Sequence, residues 1–251
     1  LIGGAVPAAH GLPPPDPAWF AKRYNIDIRT GHDVLAVDPA SRTLQVRDLE
    51  SGRVTVDRYD TLVLATGATS IIPPVPGVDL PGVFALRSVR DAEVIKAWLD
   101  ETTPQQVVLV GSGFIGLEVA EQLIEHGIAV TLVERLPQVM PAIDADMAFR
   151  VQEELERHGI TVRLNTSMTG IEGDAQVHGV RLDTAELIPA QMVILAVGVR
   201  PNTDLARHIG ARIGETGAIA VDASMRTSIA DVYAVGDCAE SLSLNTGRPP
   251  W

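Results

Sequence analysis

Val107-Val108-Leu109-Val110-Gly111-Ser112-Gly113-Phe114-Ile115-Gly116 carries an apolar, β-rich run straight into three glycines spaced G-x-G-x-x-G. The run reads as a buried strand, and the pattern from about Phe114 to Glu125, closed by Gly127, as a helix. Between strand and helix each glycine has its own reason. Gly111 permits the tight turn, Gly113 lets the backbone approach a pyrophosphate, and Gly116 lets the helix pack on the strand, while the helix N-terminus attracts the anion. Ile128 to Val133 supplies the next strand and completes a βαβ unit. Glu134 follows it, 23 positions beyond Gly111, where an acid accepts hydrogen bonds from a ribose diol. A glycine-rich turn alone says little, but strand, helix and acid in register point to a bound dinucleotide. Glu134 disfavours a 2′-phosphate by charge and so favours NAD, whereas the neighbouring Arg135 is able to pair with that phosphate and leaves NADP open.

Working outward, strands and helices alternate. Ser88 and Asp91 open a helical pattern through Ile95 and Leu99, and Asp144 is placed to cap another through Met147, Val151 and Leu155 that Gly159 ends. Ile160 to Leu164 returns to strand, short runs from Thr166 to Ala190 suggest an antiparallel insert, and Met192 to Val197 reads as buried strand. Upstream, Val34 to Val37, Thr43 to Val46 and Arg53 to Val56 form a small antiparallel meander. It feeds Leu62 to Ala65, whose residues are apolar on both faces, as a buried central strand would be. Pro73, Pro74, Pro76, Gly77, Pro81 and Gly82 mark a boundary, and the five prolines from Pro7 to Pro17 predict an irregular surface leader.

Composition narrows the function. The chain has 251 residues, 46% apolar and 21% charged, and 20 Lys+Arg against 32 Asp+Glu give a formal charge of −12. Such a surface repels phosphate backbones, so nucleic acid is not an expected partner. No apolar run is long enough to span a membrane. Cys238 is the single cysteine, so no intramolecular disulfide forms, and a reducing, cytoplasmic compartment is expected. With no second cysteine or neighbouring histidine to activate it, Cys238 reads as a small packed residue. The histidines show no metal-ligand spacing and no metal is expected; His126 and His158 each precede a glycine at a helix end, a structural position. Glu153, Glu154 and Glu156 suggest a solvated helix face. Glu118, two residues past Gly116, has two readings: a solvated acid near the positive end of the helix dipole, or a functional group whose role only a family can define.

Four separated blocks then agree: Leu62 to Ala68, Gly111 to Glu118, Ala196-Val197-Gly198-Val199-Arg200-Pro201-Asn202, and Val232-Tyr233-Ala234-Val235-Gly236-Asp237. In this order they resemble the pyridine nucleotide-disulfide oxidoreductases, flavoproteins with a Rossmann-like domain for FAD and a second, inserted, for NAD(P)H. Ile2-Gly3-Gly4 and Phe20 through Asp38 look like the single-cysteine branch of coenzyme A-disulfide reductases and NADH oxidases. The resemblance implies an α/β fold in which a Rossmann-like NAD(P)-binding domain is inserted in an incomplete FAD-binding domain with an antiparallel β-meander. Residues 1–23 would be the Pro-rich leader, 24–70 and 199–251 the FAD-binding parts, and 71–198 the NAD(P)-binding domain.

Residue by residue, the resemblance puts Gly111, Ser112, Gly113, Phe114, Ile115 and Gly116 at the NAD pyrophosphate, Glu134 at the adenosine ribose, and Glu118 and Gly198 near the nicotinamide. Ala65, Thr66 and Gly67 would line the adenylate side of FAD, Val34 and Arg87 would add contacts, and Asp237 would bond its ribityl chain. The family also opens with a G-x-G-x-x-G for FAD, whereas this chain has one such motif, the NAD one. The chain therefore reads as an internal fragment, with the redox cysteine expected upstream of Leu1 and a dimerisation domain beyond Trp251. Alone it should bind NAD weakly and FAD poorly. The implied activity passes hydride from NADH to flavin and on to a small disulfide, persulfide or oxygen species. A ferredoxin or rubredoxin reductase-like flavoprotein and a non-catalytic NAD-binding redox module are the alternatives. The intact protein is expected to be a homodimer acting on a small molecule; Lys22 and Arg23 suit either an anionic substrate or plain solvated surface.

Overall fold

The computed structural model describes residues 2–3, 16–243 and 246–247. These form two compact units, one of Ser70–Val199 with Ile2 and Gly3, the other of residues 16–69 and the described residues from Arg200 onward. The second unit opens with α1 (Pro17–Tyr24), where Asp16 accepts a 2.7 Å hydrogen bond from the Trp19 amide and Asn25 closes the helix in the left-handed conformation. This corrects the expected leader. The proline-rich stretch before residue 16 lies outside the described residues, but Pro17 starts a helix, because at the first helical position its missing N–H costs nothing.

The meander follows as an antiparallel sheet of β1 (His32–Asp38), β2 (Thr43–Asp48) and β3 (Val54–Arg58) in that order. Its turns are closed by aspartates: Asp38 accepts from Ser41 Oγ and the Ala40 amide, Asp48 from the amides of Glu50 and Ser51. β4 (Leu62–Leu64) departs from the buried central strand its sequence suggests. Among the described residues it pairs only with β16 (Val232–Ala234), and Val63 is 53% exposed, so one face of the apolar run has no cover. β5 (Ala68–Ser70) pairs with β14 (Val199–Pro201).

The first unit is a three-layer sandwich around a parallel sheet. Its strands are β6 (Val83–Ala85), β7 (Gln106–Val110), β8 (Ala129–Val133), β9 (Thr161–Arg163) and β13 (Met192–Leu195), ordered β6-β13-β7-β8-β9. Val107, Leu109, Val130, Leu132, Met192 and Ile194 face the helices α2 (Val89–Thr102), α3 (Phe114–Glu125) and α4 (Ala145–Arg157), packing with Ile95, Val119, Leu123 and Ala148. Val108, Val110, Val133, Val193 and Leu195 face the other way, against Ile171, Val180, Leu182 and Ile188 of the antiparallel β10 (Met168–Gly173), β11 (Val177–Leu182) and β12 (Leu187–Pro189). Both faces of the central strands β7 and β13 are covered, which is why residues 107–110 and Met192–Leu195 are continuous apolar runs instead of alternating ones. Ser88 caps α2 in a box with Asp91, whereas Asp144 holds the N-cap position of α4 without a side-chain cap hydrogen bond. The second unit's core gathers Leu64, Ala206, Ile219, Val232, Ala234 and Cys238 from β4, α5 (Asp204–His208), β15 (Ile219–Ala220), β16 and the turn leading to β17 (Ala239–Glu240). No described helix is long and apolar enough to cross a membrane.

Candidate dinucleotide site

The sheet order fixes where a ligand can bind. From β7 the chain passes through α3 to β8 on one side, while β13, arriving after the antiparallel layer, pairs with β7 on the other. A crevice outside the carboxyl ends of the strands is expected at such a reversal. A cleft of about 440 Å³ opens there, lined by Gly111, Ser112, Gly113, Glu134, Arg135 and Gly198. Sequence reasoning missed Thr166, Ser167 and Met168, which also line the cleft, because the turn from β9 into the antiparallel layer carries no motif.

The three glycines do separate jobs. Gly111 has φ +100°, and a Cβ there would lie 2.4 Å from the Ala196 carbonyl oxygen, so both conformation and close approach of the segment leaving β13 demand glycine. At Gly116 a Cβ would lie 2.3 Å from the Gly111 carbonyl oxygen, so the helix packs against the turn itself. Gly113 is different: it is the N-cap of α3 at φ −72°, and a Cβ there would meet nothing within 4 Å. The space over it is open cleft, at the helix end where the first amides carry partial positive charge. A pyrophosphate fits this cradle in both room and electrostatics. Phe114 and Ile115, in the first turn of α3, are exposed.

Glu134 is bound inward. It is 8% exposed, Ser112 is fully buried, and Glu134 Oε2 accepts from both the Ser112 amide (2.9 Å) and Ser112 Oγ (2.7 Å). Oε1 accepts from the Leu136 amide at 2.8 Å. Backbone bonds knit the same corner: Gly111 N–H donates to Val133 O, Met140 N–H to Ser112 O, and Thr166 N–H to Glu134 O. Arg135 is exposed on the cleft wall.

Of the remaining residues of the dinucleotide set, Gly198 lines this cleft, whereas Glu118 is exposed on α3 outside it. In the second unit, Val34 shares a smaller cleft of about 250 Å³ with Leu62 to Thr66. Ala65, Thr66 and Asp237 are exposed just past the carboxyl ends of the paired parallel strands β4 and β16. The turn through Gly67 is clamped by Asn202, a residue sequence reasoning gave no role: Thr66 Oγ1 donates to its carbonyl oxygen, its Nδ2 donates to Thr66 O, and its amide donates to Gly67 O. Arg87 stands in the first unit before α2, its amide donating to Asp91 at 3.0 Å. Cys238 is buried, its thiol donating to the carbonyls of Leu64 and Val235.

A parallel sheet with a glycine turn, a helix N-terminus and an acid at its switch point defines a dinucleotide-binding unit. Residues 6–249 match the pyridine nucleotide-disulphide oxidoreductase family, and the chain belongs to that family, whose enzymes use FAD and NAD(P)H. It is 41% identical, over 99% of its length and 55% of the relative, to an NADH oxidase of Methanocaldococcus jannaschii. Its fold superimposes on the reduced CoADR-RHD of Bacillus anthracis with TM-score 0.94 and 35% identity, covering 99% of this chain and 44% of that one. A NAD-dependent persulfide reductase from A. fulgidus gives TM-score 0.92 at 36% identity, covering 98% and 46%. The chain thus spans about half the length of the curated relatives it matches.

Proposed function

We propose that this chain supplies the NAD(P)H-binding part of an FAD-dependent oxidoreductase whose final acceptor is a small disulfide, persulfide or oxygen species. The observation that carries this reading is the cleft at the β7 and β13 ends, where Gly113 leaves open space over the α3 N-terminus beside the buried Glu134. When bound, NAD(P)H would supply a hydride and FAD the redox centre through which its two electrons reach the acceptor. The protein's part is positioning. Amides at the start of α3 would hold the pyrophosphate, the Glu134 corner the adenosine end, and Gly198, which also lines the cleft, would offer backbone without a side chain to a ring. Thr66 and Asp237, just past the carboxyl ends of the paired strands β4 and β16, are read as the FAD-facing residues of the second unit. The NADH oxidase and persulfide reductase relatives support the acceptor class, and the single cysteine supports a cytoplasmic setting. The intact enzyme is read as a homodimer.

The test is an NADH fluorescence titration of the 251-residue chain and of Gly113→Val. Because φ at Gly113 suits any residue and a Cβ there meets no protein atom, the variant should keep its melting temperature while losing saturable NADH binding. Equal binding by both chains would put the nucleotide elsewhere.

A further inference from the structure

The inward bonds of Glu134 change what that acid can offer. A carboxylate oxygen accepts about two hydrogen bonds. Oε2 already has two donors, the Ser112 amide and hydroxyl, and Oε1 has one, the Leu136 amide. A ribose diol arriving in the cleft therefore finds about one open acceptor position, on Oε1, instead of a full carboxylate edge. The amides cannot leave without distorting the backbone. The Ser112 hydroxyl can, by rotating about one bond, and it is thus the adjustable member of the set.

We propose that Ser112 is a specificity-determining, positioning residue. By occupying Glu134 Oε2, its hydroxyl masks the acid that would otherwise select a free 2′-hydroxyl over a 2′-phosphate, so the cleft accepts NADPH alongside NADH. Two observations support this beyond the hydrogen-bond count. Glu134 lines the cleft but presents only 8% of its surface, so most of its carboxylate is engaged by protein donors. The next residue, Arg135, is exposed on the same wall and gives a 2′-phosphate a cation to meet. The inference rests on the nucleotide reading of the cleft.

The experiment measures Kd for NADH and NADPH separately on the full chain, by fluorescence titration, for the wild type, Ser112→Ala and Glu134→Gln. Wild type should bind both nucleotides with Kd values within about tenfold of each other, since a charge-assisted hydrogen bond is worth roughly that factor. Ser112→Ala removes the mask, frees one acceptor and uncovers charge, so the preference should move toward NADH by about tenfold. Glu134→Gln keeps a carbonyl oxygen for Ser112 but removes the charge, and should move it the other way. Ser112→Cys keeps side-chain volume with a weaker donor and should fall between wild type and Ser112→Ala, which secures the result if the alanine variant folds poorly. A merely structural serine would weaken both nucleotides equally, and an unmoved ratio or an equal loss overturns the proposal. Wild type binding neither nucleotide overturns the reading of the cleft as well, so the two failures are distinguishable.

Discussion

Gly113 and Gly116 look alike in the motif, yet a methyl group separates them: at Gly113 it enters open cleft, at Gly116 it strikes the Gly111 carbonyl oxygen at 2.3 Å. The struck atom is backbone and cannot swing aside, so Gly116→Ala should cost about 1–3 kcal/mol, as overpacking does. Urea unfolding of Gly116→Ala against Gly113→Ala measures this, and equal midpoints would mean that α3 does not sit on the turn. These glycine roles were legible in the sequence because the spacing itself encodes strand, turn and helix. The Glu134 bonds were not. Spacing placed the acid at the end of β8, but which way its carboxylate turns depends on the Ser112 side chain, whose position in the motif accepts almost any residue. Asn202 was hidden for a similar reason: its partners Thr66 and Gly67 lie far away in sequence, and no local pattern announces such a clamp.

At the level of elements, α2 shows how a cap can be both read and tested. Ser88 and Asp91 stand three apart, and in the structure Ser88 Oγ accepts from the Asp91 amide at 3.2 Å while Asp91 Oδ2 accepts from the Ser88 amide at 2.7 Å. Burial pushes the Asp91 carboxyl up, but hydrogen bonds from the Ser88 amide and hydroxyl and the Arg87 amide outweigh it and hold the group below its ordinary 3.8. A depressed carboxylate stabilises the folded state above its unfolded pKa, and that stabilisation disappears as pH falls through the lower folded value. Asp91→Ala should therefore cost about 1 kcal/mol at pH 7. The gap from wild type should close as the pH is taken well below 3.8, and a gap independent of pH would mean that the carboxylate is not what caps the helix. Asp144 carries the same local signal before α4, but its side chain makes no cap bond, since the residue type marks a helix start without fixing a rotamer. Pro17 shows the converse: prolines in a run predict irregular chain, yet the one following Asp16 begins a helix. In β4 the apolar sequence was legible as strand, whereas its burial depends on neighbours that strand periodicity does not specify.

For the whole molecule the hydrophobic cores decide how it responds to its ligand. The two clusters flanking the parallel sheet belong wholly to the first unit, and the cluster around Leu64, Val232 and Cys238 belongs wholly to the second. The proposed nucleotide cleft lies in the first, while the single thiol, fully buried and donating to Leu64 O, reports on the second. Cys238 should thus resist a thiol reagent in the native protein and react when the second core opens, as a buried cysteine does. NADH at 100 times its Kd should add about 2.7 kcal/mol to the stability of the unit that binds it. Amide exchange of β7 and β13 would record that gain directly. With separate cores, the denaturant midpoint for Cys238 labelling should stay where it is when NADH is added. A labelling midpoint that rises in step with protection of β7 and β13 would show instead that the cores unfold as one cooperative body, and that nucleotide held by the glycine turn stabilises the strands leading to Thr66 and Asp237 as well.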